Sequence, residues 1–255
     1  MSPTTITQAV VLALGLLAGR LWPREARPSI LGRESWVNLS NGAMLFPLRL
    51  GLGMLGVDKL NVGLVPLGQL VHPALQFAFC FLLLDFTRYW VHYADHRVPF
   101  LWKFHRVHHS CEALDSTSGF RMHLVDFAQL TAIPLVLFGV LFDISKFEGW
   151  VLPASLMVGI VADAMEHANV RFTLDSPFRR AWYRVFNNPL FHSWHHTRDG
   201  HLCDGNYANA LPLWDRLFGT DVSRPVPPEL YGISADQALD GSLLGLQLLR
   251  PRTRT

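Results

Sequence analysis

The sequence predicts an all-α integral membrane protein, in which a helical bundle of four to five spans carries a cytoplasmic histidine-rich helical cap. Half of the 255 residues are apolar and only 16% are charged, against about 25% in typical soluble domains. Two further observations support this prediction: long uncharged runs, and the clustering of eight of the twelve histidines. The net charge of +2 without a long Lys/Arg run argues against a nucleic-acid partner, and three unpatterned cysteines predict no disulfide framework.

The apolar runs define the candidate spans. Residues 5–21 are expected to form an uncleaved anchor, because the start of the chain lacks the basic residues of a signal peptide. Residues 62–84 are uncharged and long enough to cross about 30 Å of hydrocarbon, with Pro66 and Pro73 positioned to break the outer half. Residues 43–57 either span the membrane or lie in its interface, which gives five spans or four.

Two further runs follow. Residues 124–142 carry one charge, Asp126, and residues 149–162 are shorter but are expected to continue as a helix through Asp163 and His167. Lysine and arginine concentrate in the segments after residues 21, 84 and 162. Since cytoplasmic loops are enriched in these residues, the three segments are expected on the cytoplasmic side. We expect the membrane to be a bacterial inner membrane, or the endoplasmic reticulum if the protein is eukaryotic.

Eight histidines fall in three five-residue windows, HYADH, HRVHH and HSWHH. On a helix, histidines three and four residues apart share a face. One transition-metal ion takes four to six ligands, so eight imidazoles suit two ions, whose identity the ligand type does not decide. The eight are His92, His96, His105, His108, His109, His192, His195 and His196.

The topology brings these windows to one side of the membrane. The first two follow the run 62–84, and the third follows two more runs, so the chain returns to the same face. A zinc hydrolase of the HExxH type is excluded, because Tyr93, Arg106 and Ser193 occupy the position of the glutamate. A histidine-rich protein that binds or transports metal remains the alternative to an enzyme. Transport predicts ionisable groups inside the spans, whereas the histidine windows lie outside them, which favours the enzyme.

With its surrounding motifs the sequence resembles the fatty acid hydroxylase, or sterol desaturase, superfamily over residues 85–220. The motifs are RYWV before HYADH, RVPFLW, HRVHHS, Arg121-x-His123, HANV from His167, NNPLFHSWHH and DGNYANALPLWDRLFGT. The resemblance implies an O2-dependent membrane oxygenase, a monooxygenase of lipid biosynthesis that hydroxylates or desaturates lipids. It implies two metal ions, normally iron, with zinc as an expected replacement in purified samples.

Carried over by motif, the ligands are the eight histidines and His167. His123 is either a ligand or a supporting residue. Nearby acids are expected to orient the ring N–H groups and to balance the metal charge; the candidates are Asp95, Asp163, Glu166, Asp199 and Asp204. Asp215 is assigned to a turn, and Asp204 to either role. Arg171 stands where relatives acting on acyl chains often carry histidine, so the substrate stays open among sterol, acyl chain, carotenoid and polar lipid.

The motifs that the sequence lacks predict that a separate protein supplies electrons. No glycine-rich dinucleotide motif or haem-binding module is present, so a separate ferredoxin, or a cytochrome with its reductase, is expected to supply electrons. The lipid is expected to reach the site from the bilayer. One membrane-embedded domain is predicted over residues 1–255, with N-terminal spans in 1–84 and a peripheral tail at 221–255.

Overall fold

The computed structural model describes residues 3–26, 29, 31–55, 62–65 and 72–253. In these residues the regular structure consists of ten α-helices and two 3-10 turns, Ser118–Phe120 and Ile144–Lys146, with no strand beyond isolated bridges. The helices are α1 (Pro3–Leu21), α2 (Arg33–Leu55), α3 (Pro73–Arg97), α4 (Pro99–His109), α5 (Leu124–Leu141), α6 (Val151–Glu166), α7 (Pro177–Val185), α8 (Pro189–His195), α9 (Leu213–Phe218) and α10 (Leu243–Gln247).

The five long helices form the bundle. Helix α3 packs against α5 and α6, and α1 packs against α6. Cys80, Leu84, Phe138 and Val151 form the apolar core where α3, α5 and α6 meet. Gly15 lets α1 pack closely against the segment that contains Ser116, because a Cβ atom at residue 15 would lie 2.2 Å from Oγ of Ser116. The prediction of an all-helical fold is therefore confirmed for the described residues.

Among the described residues, two helices, α3 and α5, are long and apolar enough to cross a membrane. The prediction of four to five spans and of a cytoplasmic cap remains a prediction. Helix α1 is a shorter apolar helix over its described side chains, and it exposes large apolar side chains at intervals of about one turn. These are Ile6, Val10, Leu14 and Leu17.

The run 62–84 is not one helix. Helix α3 begins at Pro73, the residue predicted to break the run, and Nδ1 of His72 caps it by accepting from the N–H of Ala74. Proline suits the first turn of a helix because its missing N–H would have no partner there. Residues 62–65 instead donate backbone hydrogen bonds to residues 139–141, and Pro66 lies outside the described residues. Helix α2 includes residues 43–55 but begins ten residues earlier, at Arg33.

Polar contacts inside the bundle fix the segment that leads to α5. Asn38 and Asn41 on α2 are fully buried. Asn38 donates to Oγ1 of Thr117 over 3.0 Å, and Asn41 donates to the carbonyls of Phe120 and Met122 over 2.6 and 2.7 Å. Buried amides of this kind are stable only when hydrogen-bonded, so α2 fixes the position of residues 117–122.

Residues 98–123 and 167–253 form the part that we call the histidine cap. Its tail packs onto α4, where Leu239 and Leu246 bury Val107. The carboxamide of Gln247 donates to Asn41 and to the carbonyl of Met122. The residues after 220 therefore contribute to the packing of the cap.

Candidate metal centre

The first two histidine windows meet because the chain turns sharply between α3 and α4. His92 and His96 lie one turn apart near the end of α3. Val98 is extended and Pro99 begins α4, as expected since the residue before proline avoids helical geometry. The turn folds α4 back onto α3 and places Nε2 of His105 3.1 Å from Nε2 of His92.

The third window lies on α8, whose start is fixed by the NNP motif. The side chain of Asn188 accepts from the N–H groups of Leu190 and Phe191, which is the usual role of asparagine at a helix N-terminus. Asn187 donates to the carbonyls of Ala208 and Asn209 and to the carboxylate of Glu166. Helix α8 is thereby tied both to the end of α6 and to the loop after residue 204.

The nine predicted histidines converge as two groups, in each of which the potential ligand atoms lie within 4.8 Å of one another. We call them the five-ring group and the four-ring group. The five-ring group is His92, His96, His105, His109 and His195, and the four-ring group is His108, His167, His192 and His196.

The distances in both groups fit a shared metal ion. In the four-ring group, Nε2 of His167 lies 3.3, 3.2 and 3.1 Å from Nε2 of His108, His196 and His192. Imidazole nitrogens bound about 2.0–2.1 Å from one ion at angles between 90° and 110° are separated by roughly 3.0–3.4 Å. In the five-ring group, Nε2 of His96, His109 and His195 is buried without a hydrogen-bonding partner among the described residues, a costly arrangement unless an ion accepts the lone pairs.

In three of the rings the Nδ1 atom, which points away from the other rings, faces a backbone carbonyl that can fix the ring. Nδ1 of His92 lies 2.7 Å from the carbonyl of Tyr207, and that of His195 lies 2.8 Å from the carbonyl of Gly205. Nδ1 of His167 is equally close, at 2.7 Å, to the carbonyl of Asp163. These contacts hold Nε2 as the metal-facing atom, as is usual for metal-binding histidines.

Burial favours the neutral form of most rings of the cap, whereas at His105 burial is outweighed by the contact with Asp126, which raises the pKa. Burial lowers the pKa of His195 to about 3, and together with the neighbouring rings it lowers the pKa values of four other histidines well below their usual range. These four are His108, His109, His192 and His196. A neutral imidazole presents the lone pair that a metal requires, so the cap is prepared for metal even at mildly acidic pH.

Four of the five candidate acids lie beside the rings, Asp95 among them. Asp204 is 3.3 Å from Nδ1 of His96. Oε1 of Glu166 is 3.7 Å from Nε2 of His192, and Asp163 forms a further cluster with Glu166 and His167. In contrast, Asp199 is exposed and accepts from the backbone N–H of His201, which makes it part of a turn.

Sequence reasoning missed Asp126 as a contact of the site. Both carboxylate oxygens of Asp126 lie 3.2 Å from Nδ1 of His105, in a fully buried position. Asp95, one of the candidate acids, belongs to the same cluster and accepts from Gln129. The sequence does mark Asp126 as a functional candidate, because a lone ionisable residue in an apolar run is by itself an indication of function.

His123 lies apart from both groups. It precedes α5, where its Nδ1 accepts from the N–H of Val125, and its Nε2 lies 3.1 Å from the carbonyl of Gln247. Of the two roles left open from the sequence, this geometry favours the supporting one. His72 caps α3 in the same way, and His201 is exposed.

The DGNYANAL segment supports the rings from behind. The carbonyls of Gly205 and Tyr207 face His195 and His92, and Asp215 accepts from the N–H groups of Tyr207 and Ala208. Gly205 is required for close packing, because a Cβ atom there would lie 2.6 Å from the carbonyl oxygen of Thr220. The turn role predicted for Asp215 agrees with these contacts.

A cavity of about 30 Å³ lies between the two groups. Its walls include rings of both groups together with Arg88, Asp163, Glu166 and Asn209. This volume holds a water molecule or a similarly small molecule. Small reactants therefore have space next to both groups.

Comparisons with known proteins place these features in a family. The family model described as fatty acid hydroxylase matches residues 77–220, which include all nine rings. Relatives include an alkylglycerol monooxygenase of Xenopus tropicalis, 29% identical over 60% of this chain and 32% of that protein. The ornithine lipid hydroxylase OlsE of Rhizobium tropici is 30% identical over 60% of this chain and 44% of its own, and the fatty acid hydroxylase vlmA of a Lecanicillium species is 30% identical over 56% and 40%.

The chain spans less than half the length of these curated relatives. No solved structure matches it. The family match, however, covers more than half of the chain and the complete set of histidine motifs. The resemblance predicted from the motifs is confirmed: the protein belongs to the fatty acid hydroxylase family.

Proposed function

We propose that the protein is a membrane-bound, O2-dependent hydroxylase that holds two iron ions and oxidises a lipid. The observation that carries the proposal is the convergence of nine imidazoles, seven of them on buried residues, into two groups with ligand spacing. Five rings would hold one ion and four rings the other. Bound iron supplies the redox chemistry needed to activate O2 towards an unactivated C–H bond.

The surrounding residues tune the charge and geometry of the proposed ions. Nine neutral rings leave the charge of two cations uncompensated, and the acids placed around them offset that charge. Asp126 and Asp204 face the outward atoms of the five-ring group, whereas Glu166 lies beside both an inward and an outward atom of the four-ring group. The four-ring group has fewer nitrogens, and Glu166 is placed to complete its ligand set.

The small cavity between the groups supplies the place for O2. It is bounded by His92 and His105 of the five-ring group, by His108, His167 and His192 of the four-ring group, and by the polar side chains of Arg88 and Asn209. A site of this size excludes bulk water, which protects reactive species from side reactions.

The relatives suggest the class of substrate. Their names refer to an alkylglycerol, an ornithine lipid and a fatty acid, which are molecules that share a long hydrocarbon chain. The proposed substrate is accordingly a lipid with an alkyl or acyl chain, and hydroxylation is preferred to desaturation. The lipid would come from the bilayer around α3 and α5, with the cap on the cytoplasmic side and a separate protein supplying electrons.

Metal analysis combined with product analysis tests this proposal. The full chain, purified in detergent and reconstituted with iron, should bind about two irons and, with O2 and a ferredoxin–reductase pair, add one oxygen atom to a lipid extract, as detected by mass spectrometry. His195→Ala should lose iron and product. His201→Ala is the matched control, because His201 is exposed and lies outside both groups.

The outcomes separate the enzyme from its alternative. Tight binding of copper or zinc with uptake into vesicles, and no oxidised lipid, would favour the transport protein. Oxidised lipid that persists in His195→Ala at the wild-type rate would contradict the assignment of the rings. An alkene in place of an alcohol would change the reaction to desaturation.

A further inference from the structure

A second cavity, of about 390 Å³, lies between α1, α2 and the residues that lead into α5. Its volume is within the range of about 300–1,000 Å³ that small-molecule sites occupy. The exposed surface of its wall is mostly apolar, with contributions from all three parts of the chain. Representative lining residues are Ala9, Leu12, Ala43, Phe46, Phe120 and Phe127.

This cavity adjoins the one between the histidine groups. Gly119 and Met122 line both of them. At Gly119 the wall between the two cavities consists of backbone without a side chain. This backbone packs directly against Asp163, an acid of the candidate metal centre, because a Cβ atom at residue 119 would lie 2.3 Å from Oδ2 of Asp163. A molecule at the inner end of the larger cavity is therefore separated from the rings by little more than the 119–122 backbone and one methionine side chain.

The opposite side of the cavity faces the apolar exterior of the bundle. Phe46 lines the cavity and is 42% exposed, and Met44 on the same helix is 38% exposed. Ile6 and Val10 of α1 flank it on the outside. An apolar cavity between apolar outer surfaces favours an apolar occupant, since filling it with water would leave most of that water without hydrogen-bonding partners.

We propose that this cavity binds one hydrocarbon chain of a lipid and presents the chain to the histidine groups at Gly119 and Met122. The inference rests on the proposed function and specifies how the substrate is held. A methylene group is about as large as a water molecule, roughly 30 Å³, so 390 Å³ accommodates about a dozen methylenes. The volume therefore suits a hydrocarbon chain of about this length.

Photolabelling tests the site without requiring turnover. The probe is a 16-carbon fatty acid with a diazirine near its methyl end, added to the full chain in phosphatidylcholine nanodiscs. Bilayer lipid labels the outer faces of all helices, so the informative product is label on residues 119–122, at the inner end. Ala9→Trp should reduce that label about tenfold by filling the cavity, in line with the cost of misfit in apolar pockets.

Ala13→Trp is the matched control, because Ala13 is exposed like Ala9 and lies one turn further along α1, but does not line the cavity. Ala9→Leu provides a smaller obstruction if the tryptophan variant folds poorly, as judged by retained iron. Absence of label on 119–122 in the wild type, or equal label in the Ala9 and Ala13 variants, overturns the chain site.

Chain-length preference gives a second, independent readout. Ala43→Trp should shift the preferred substrate to shorter chains, and Phe46→Ala to longer ones, with iron content unchanged. An unchanged profile in both variants, with normal turnover, overturns the proposal. If label reaches 119–122 and Ala9→Trp blocks it, but no lipid is oxidised by any variant, the chain site stands and the proposed hydroxylase is wrong.

Discussion

The five-ring and four-ring groups differ in where their carboxylates lie. Around the five-ring group, Asp126 and Asp204 face outward nitrogens, those of His105 and His96. Beside the four-ring group, the carboxylate of Glu166 lies 3.7 Å from the inward Nε2 of His192 and 3.8 Å from the outward Nδ1 of His167. A carboxylate on an outward nitrogen orients a ring, whereas one on the metal side can itself become a ligand. Glu166 is thus placed both to orient a ring and to approach an ion bound by the four-ring group, whereas Asp126 and Asp204 are placed to orient rings.

Removing one ring from each group is the strongest test of this difference. His109→Ala leaves four nitrogens in the five-ring group, and His192→Ala leaves three in the other. We expect His192→Ala to lose about one iron per chain and His109→Ala to retain more, while both lose more than about 100-fold in activity, beyond the loss typical of supporting residues. Iron per chain and product formation are the measurements, with His201→Ala as control. Equal iron loss in both variants would remove the distinction between the groups.

Acidification should lower the thermal stability of the metal-free protein more than that of the iron-loaded protein. Burial lowers the pKa of His195 to about 3 and those of His108, His109, His192 and His196 well below the usual value. A depressed folded-state pKa contributes stability that is fully present above the unfolded pKa of about 6.5 and is lost as the pH falls towards the folded value. Each such ring then removes about 1.4 kcal/mol of unfolding free energy per pH unit.

Thermal unfolding of chelator-treated protein in detergent, between about pH 7.5 and pH 5, measures this loss. Iron-loaded protein serves as the comparison, because bound metal holds the rings deprotonated until it dissociates. A melting temperature of the metal-free protein that stays constant over this interval would contradict the burial of neutral rings.

The next test compares Glu166→Gln with Asp126→Asn. Both substitutions remove a charge and keep the shape of the side chain, and losses of about 10–100-fold in metal affinity or activity are typical of such supporting residues. We expect Glu166→Gln to perturb only the iron of the four-ring group and Asp126→Asn only that of the five-ring group, as resolved by Mössbauer spectroscopy. Asp199→Asn, at an exposed turn, is the control. Perturbation of the same iron by both variants would contradict the geometry.

The sequence predicted which histidines converge but not how they divide. In each H-x-x-H-H window the first and last rings join one group, and the middle ring joins the other: His105 and His109 face the five-ring group and His108 the four-ring group. At about 100° per residue, positions three and four residues on lie on opposite sides of the first ring. The windows therefore bridge the groups, an arrangement that becomes visible only when α4 and α8 face each other.

Long-range contacts account for most of what sequence reasoning missed. The outward partners of His92 and His195 are backbone carbonyls of residues 207 and 205, and a carbonyl has no residue type to recognise. The start of α3 at Pro73 could be predicted because proline acts locally. The contact between Asp126 and His105 could not be assigned, because it depends on the packing of α4 on α5.

The smallest expected effect concerns His123, which resembles the metal-centre residues in sequence but not in position. His123→Ala removes the acceptor for the N–H of Val125 and should cost about 0.5–2 kcal/mol of stability, as loss of a helix cap does. Iron content should not change. Thermal unfolding and iron analysis of the same sample provide the measurement, and His123→Asn, which retains a capping acceptor, should recover most of the stability. Loss of one iron in His123→Ala would instead indicate that His123 is a tenth histidine ligand, and His123 would then belong to one of the two histidine groups.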